Sequence, residues 1–117
     1  MKPIMKTELP DHPAGFAREH PDVWEAFENL ANRCHEAGPL EARTRRLVKL
    51  GVALGARLEG GVHAQVRNAV AEGISKEEIH HVVLLGVTTL GFPASMAALT
   101  WVNDILGDGG RGRGPER

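Results

Sequence analysis

The chain has 117 residues, 42% of them hydrophobic and 25% charged, with a net charge of −1; that is enough for one domain around one core, and it argues against a nucleic-acid or anionic-membrane surface as the main partner. A single cysteine, Cys34, excludes an internal disulfide and points to a reducing, cytoplasmic setting. No apolar run reaches the length of a membrane span, and the opening MKPIMKTELPDHP lacks the apolar segment of a signal peptide.

Residues 1–21, with Pro3, Pro10, Pro13 and Pro21 and little periodicity, read as an irregular arm. A first helix is expected from Asp22 to Ala37. Val23, Phe27, Leu30, Ala31 and Cys34 recur there at helical spacing, with Trp24 at the stripe's edge, and Gly38-Pro39 ends it. A second helix, Leu40 to Ala56, puts Leu47, Leu50, Gly51, Leu54 and then Leu58 on one face and turns Arg45, Arg46 and Lys49 away. Gly51 and Gly55 each cost roughly 1 kcal/mol of helix propensity, so close packing against a neighbour is the expected compensation. A break around Leu58 to Gly61 precedes a third helix, Glu59 to Glu72, with Val62, Val66, Ala69 and Val70 as its buried stripe and Gly73 as its cap.

Ile74-Ser75-Lys76-Glu77-Glu78-Ile79 is a complete helix start. Ser75 caps, Glu78 returns the capping-box bond, and Ile74 staples onto Ile79. The fourth helix continues as VVLLGVTTLG, apolar on nearly every face, which in so short a chain calls for other subunits to cover it. Gly91-Phe92-Pro93 stops it, and a fifth helix from Ala94 to Leu106 carries Met96, Ala98, Trp101, Val102 and Ile105. No stretch alternates with period two. The reading is an all-α bundle of about five helices over residues 22–106, forming a homo-oligomer, followed by a tail, residues 107–117, too poor in apolar side chains to pack.

Candidate chemistry centres on the third helix. Glu59 and His63 are four apart and share a face if both are helical. A carboxylate orienting an imidazole in a partly apolar cleft supports proton transfer, and Arg67, four further on, suits a substrate carboxylate. The alternative is that Glu59 only stabilises the positive end of the helix and His63 is a surface residue. His80 and His81 point about 100 degrees apart and cannot serve one site on one helix; they read as solvated or subunit-contact residues. Cys34 reads as a small core residue, and His35 has no evident role. No metal-ligand spacing such as His-x-x-x-His with a carboxylate partner is present, so neither metal nor cofactor is expected. Gly60-Gly61 lacks the lysine and length of a phosphate loop. The basic group Arg43, Arg45, Arg46 and Lys49 reads as a solvated face, and Trp24, Phe27, Phe92 and Trp101 as core or subunit interface.

The segments Leu47-Val48-x-Leu50-x-Val52-Ala53, Ala69-x-x-x-Gly73-x-Ser75-x-Glu77-Glu78-Ile79 and Gly91-Phe92-Pro93-Ala94, in this order over Asp22 to Leu106, resemble the carboxymuconolactone decarboxylase and alkylhydroperoxidase-D-like superfamily. The resemblance implies a small helical domain that assembles into trimers or hexamers. Its peroxidase branch carries Cys-x-x-Cys-x-x-x-His and an upstream relay glutamate. Counted back from Gly73, those positions are Leu58, Gly61, Gln65 and, for the relay, Arg46. All four are replaced, and without a thiolate pair there is no disulfide cycle. The decarboxylase branch's histidine also falls on Gln65, which cannot shuttle a proton near neutral pH. The expected activity is therefore acid–base chemistry, decarboxylation or lactone or keto acid turnover, on a small organic acid. His63 would be the base, Glu59 its orienting group and Arg67 the carboxylate anchor. Alkylhydroperoxidase-like peroxide reduction and a non-enzymatic binding or assembly protein are the alternatives.

Overall fold

The computed structural model of the protein describes residues 11–107, which hold six helices and no strand: α1 Asp11–Glu19, α2 Pro21–Glu36, α3 Ala42–Gly55, α4 Glu59–Ala71, α5 Lys76–Leu90 and α6 Phe92–Leu106. The described residues are all-α, as expected. The additional helix is α1, which occupies the second half of the expected arm. Pro13 falls in its first turn, where a missing N–H costs no helical hydrogen bond. The expectations for residues 1–10 and for the tail beyond Gly107 lie outside the described residues.

The chain divides into two compact units at Ala42. In the first, α1 and α2 contact each other, the Phe16 and His20 rings lie 5.1 Å apart and those of Trp24 and Phe27 5.7 Å apart. The expected core stripe of α2 is corrected here: Val23, Phe27 and Leu30 are all exposed. Cys34 is exposed as well, while His35 is buried.

The second unit holds the core. Leu50, Ala53 and Leu54 of α3, Val62, Val66 and Ala69 of α4, Ile79 and Val83 of α5, and Ala98 and Val102 of α6 pack with Ile74. Each large side chain withdrawn from water there contributes roughly 1.5–3 kcal/mol. Trp101 and Ile105 pack against this core, whereas Val70, Leu58 and Phe92 are exposed. Leu58 and Val70 were expected on buried stripes. Leu58 instead caps α4 in extended geometry, and Val70 turns outward beside Ala69.

Local signals set the joints. Arg57, at φ 58°, closes α3 in the left-handed region at a cost of roughly 1–2 kcal/mol relative to glycine. At the end of α4, Gly73 has φ 85°. Its N–H bonds the Val70 carbonyl at 3.1 Å, and the Ile74 N–H bonds that of Ala69 at 3.0 Å, a Schellman closure. The capping box at α5 is formed in both directions between Ser75 and Glu78, and Ile74 and Ile79 are both buried beside it. α5 and α6 pack most extensively.

Gly51 and Gly55 are not close-packed in the chain. A Cβ at Gly51 would stand 3.9 Å from Val82 Cγ1, and one at Gly55 3.8 Å from Leu90 Cδ2, both ordinary contacts. Gly51→Ala is therefore expected to raise the stability of the isolated chain by roughly 0.5–1 kcal/mol, read as a higher urea midpoint. A lower midpoint would mean that a second surface packs on this face.

Candidate functional site

Two polar clusters sit on the second unit. The first gathers around Arg46. Its position, four and eight residues before Leu50 and Leu54, places it on the buried face of α3, and it is 2% exposed. The expectation that Arg46 points to solvent is thus wrong, because its place on the stripe outweighed its charge. Its guanidinium donates to both Glu72 oxygens, Nε at 3.1 Å and Nη2 at 3.0 Å, and through Nη1 to Gln65 Oε1 at 2.5 Å. Gln65, Ala69 and Glu72 follow one another at four and three residues along α4, so one face of that helix presents the receiving groups. A bidentate carboxylate and a third acceptor are what a buried guanidinium requires. The positions where the resemblance expects a relay acid and a proton-shuttling histidine are therefore in direct contact, but hold an arginine and an amide. Arg43, nearby on α3, pairs with Glu78.

The second cluster lies where α4 begins and α6 ends. His63 Nε2 is 3.0 Å from Asp104 Oδ2. Glu59, His63 and Asp104 each offer a ligand atom, and these atoms all lie within 4.8 Å of one another. Glu59 is exposed rather than turned to the apolar stripe, and His63 is half-buried. The carboxylate within hydrogen-bond distance of the imidazole is thus that of Asp104. It is 41 residues from His63, so no spacing rule within a helix reveals it. Asp104 stands in the last turn of α6, where the helix's own negative end disfavours an acid. That turn carries no basic residue, and the favourable neighbour is His63. Arg67 lies one turn beyond His63. Its Nε is shielded from solvent with no hydrogen-bond partner, and burial pushes its pKa below the ordinary value, though a guanidinium remains charged.

His80 and His81, expected to serve different sites, both line one groove between α5 and α6. His80 Nε2 is 2.8 Å from Asn103 Oδ1, beside Asp104, so the last turn of α6 receives the starts of both α4 and α5. His81 faces a groove of about 540 Å³ between α3 and α5, lined by Leu47, Val48, Gly51, Leu85 and Leu90 among others. A second groove, about 520 Å³, runs between α5 and α6 past His80, His81, Leu84, Met96 and Leu99. Neither groove is lined by Glu59, His63 or Arg67. No helix among the described residues is long and apolar enough to cross a membrane.

The capped α4–α5 joint, the Gly91-Phe92-Pro93 stop and a core shared by α3 to α6 make a small all-α domain. The family model described as "Carboxymuconolactone decarboxylase family" matches residues 21–104. The chain belongs to that family. It is also similar to the uncharacterized protein MJ0742 of Methanocaldococcus jannaschii, at 28% identity over 82 residues, covering 69% of this chain and 79% of that protein.

Proposed function

We propose that this family member carries out acid–base chemistry without thiols on a small organic acid, a lactone or keto acid, at the junction of α4 and α6. His63 is the base, Asp104 holds its ring, Glu59 supplies a second carboxylate and Arg67 anchors the substrate carboxylate. The observation that carries this reading is the 3.0 Å contact of His63 with Asp104. A carboxylate on one ring nitrogen fixes the tautomer and leaves the other nitrogen to accept a proton. Arg67 Nε lacks an acceptor, which an incoming carboxylate supplies. Screening lactones and keto acids with the native chain and with His63→Ala tests the reading; turnover unaffected by the substitution removes it.

Peroxide reduction is the weaker reading, because Cys34 is the sole cysteine and is exposed on α2. Activity abolished by Cys34→Ser in a peroxide-consumption assay would favour it. A non-enzymatic assembly protein has two observations in its favour: Glu59 is exposed, and the acid–base cluster lines neither groove. Self-association belongs to both surviving readings. Val48, Val52, Leu84 and Leu85 are all exposed on α3 and α5, and apolar surface of this kind is normally covered by a partner. A trimer or hexamer of the 12.6 kDa chain is expected by light scattering; a stable monomer would contradict it.

A further inference from the structure

We propose that Glu59, His63 and Asp104 form an open site for a first-row divalent cation. Such ions hold imidazole nitrogen and carboxylate oxygen at about 2.0–2.2 Å, so neighbouring donors around one ion stand roughly 3 Å apart. His63 Nε2 and Asp104 Oδ2 already stand 3.0 Å apart, and the remaining separations are within 4.8 Å. Glu59, exposed and free to turn about three side-chain bonds, closes that gap without disturbing the core. The other two donors are held on helices whose neighbouring residues, Val62 and Val102, are fully buried.

The charge balance favours a cation. Two carboxylates lie together, and His63 bonds only one of them. Among the described residues Glu59 makes no ion pair or hydrogen bond. Arg67, one turn on, makes no ion pair with Glu59 or Asp104. The described residues therefore bring two acids and an imidazole together without supplying the second positive charge. One imidazole with two carboxylates suits Mn²⁺ and Zn²⁺ better than soft, thiol-seeking ions. Three protein donors at an exposed edge leave further coordination positions to water or to a ligand, the arrangement of an open rather than a closed structural site.

The inference goes beyond the acid–base reading and requires no turnover. With the cation bound, His63 Nε2 is a ligand instead of the nitrogen held by Asp104, so the loaded and unloaded site are alternative states of the same residue. The test uses the full chain with Cys34→Ser, which removes the thiol as a competing ligand. MnCl₂ titration is followed by loss of the free-ion paramagnetic resonance signal, and ZnCl₂ titration by calorimetry, with no substrate present. One ion per chain is expected, weakened roughly tenfold or more by His63→Ala, Asp104→Asn and Glu59→Gln and unchanged by His80→Ala. Glu59→Gln is at an exposed helix start and leaves the core intact, so its effect is not one of folding. Absence of saturable binding, binding indifferent to these three substitutions, or binding lost with His80→Ala would each overturn the proposal. Because only binding is read, its failure leaves the acid–base assignment standing, and the reverse also holds.

Discussion

Replacing Glu72 with Ala is expected to cost the fold about 3 kcal/mol, against a total stability of roughly 5–15 kcal/mol for a domain of this size. The carboxylate is the bidentate partner of Arg46, which is 2% exposed. Without it the buried guanidinium loses both bonds to the carboxylate while keeping its bond to Gln65, and breaking a buried charged pair is among the few single changes with so large an effect. Glu72 itself is 27% exposed at its side chain, so water offsets part of the loss and the value belongs at the low end of the range for broken buried pairs. Removing the charge instead, as in Arg46→Met, is expected to cost less, since Glu72 can turn to solvent. The double substitution Arg46→Met, Glu72→Leu should recover much of the stability lost in Glu72→Ala alone, because an apolar pair carries no desolvation penalty. Urea unfolding of the native chain, Arg46→Met, Glu72→Leu and the double substitution gives the coupling directly. A loss below about 1 kcal/mol in Glu72→Ala would show that the guanidinium finds water in the folded chain.

The second large effect is catalytic. If His63 is the base, His63→Ala should lower kcat by about 10²–10⁴-fold, the range for a positioned general base. Asp104→Asn keeps the shape but presents either an amide oxygen or an amide nitrogen to the ring. It should lower kcat as well, through the wrong tautomer, while leaving KM nearly unchanged. Arg67→Lys should act in the opposite sense, raising KM with a smaller change in kcat, since it alters the grip on the substrate carboxylate rather than the proton transfer. Turnover that is equal in the native and His63→Ala proteins rules out the assignment. Equal losses in kcat for all three would point to a structural collapse of the α4–α6 junction instead.

Both clusters show how far a linear reading reaches. Arg46 was legible in principle: it stands four residues before Leu50 on a stripe that also holds Leu54, and position on that stripe decided its burial. What hid it was residue type, since arginine is rarely buried unless paired, and its partners Gln65 and Glu72 lie on another helix. Asp104 was not legible at all. Its role depends on the end of α6 meeting the start of α4, and nothing within five residues of Asp104 signals that. The stripe of α2 misled in the other direction, because helical spacing of Val23, Phe27 and Leu30 shows that an apolar face exists without showing that anything in the same chain covers it.

The sequence by itself determined the helical class, the joints and the core face. Capping by Ser75 and Glu78, the left-handed Gly73 and the Gly91-Phe92-Pro93 stop are hydrogen-bond and steric events completed within a few residues, and the Val62, Val66, Ala69 stripe follows from 3.6-residue periodicity alone. Only the tertiary structure decided which charged residue was buried, which carboxylate reached His63, and that His80 met Asn103 while His81 came to line both grooves. Those outcomes depend on the crossing of packed helices, set by side-chain interlocking across the whole core, and no local rule carries that information.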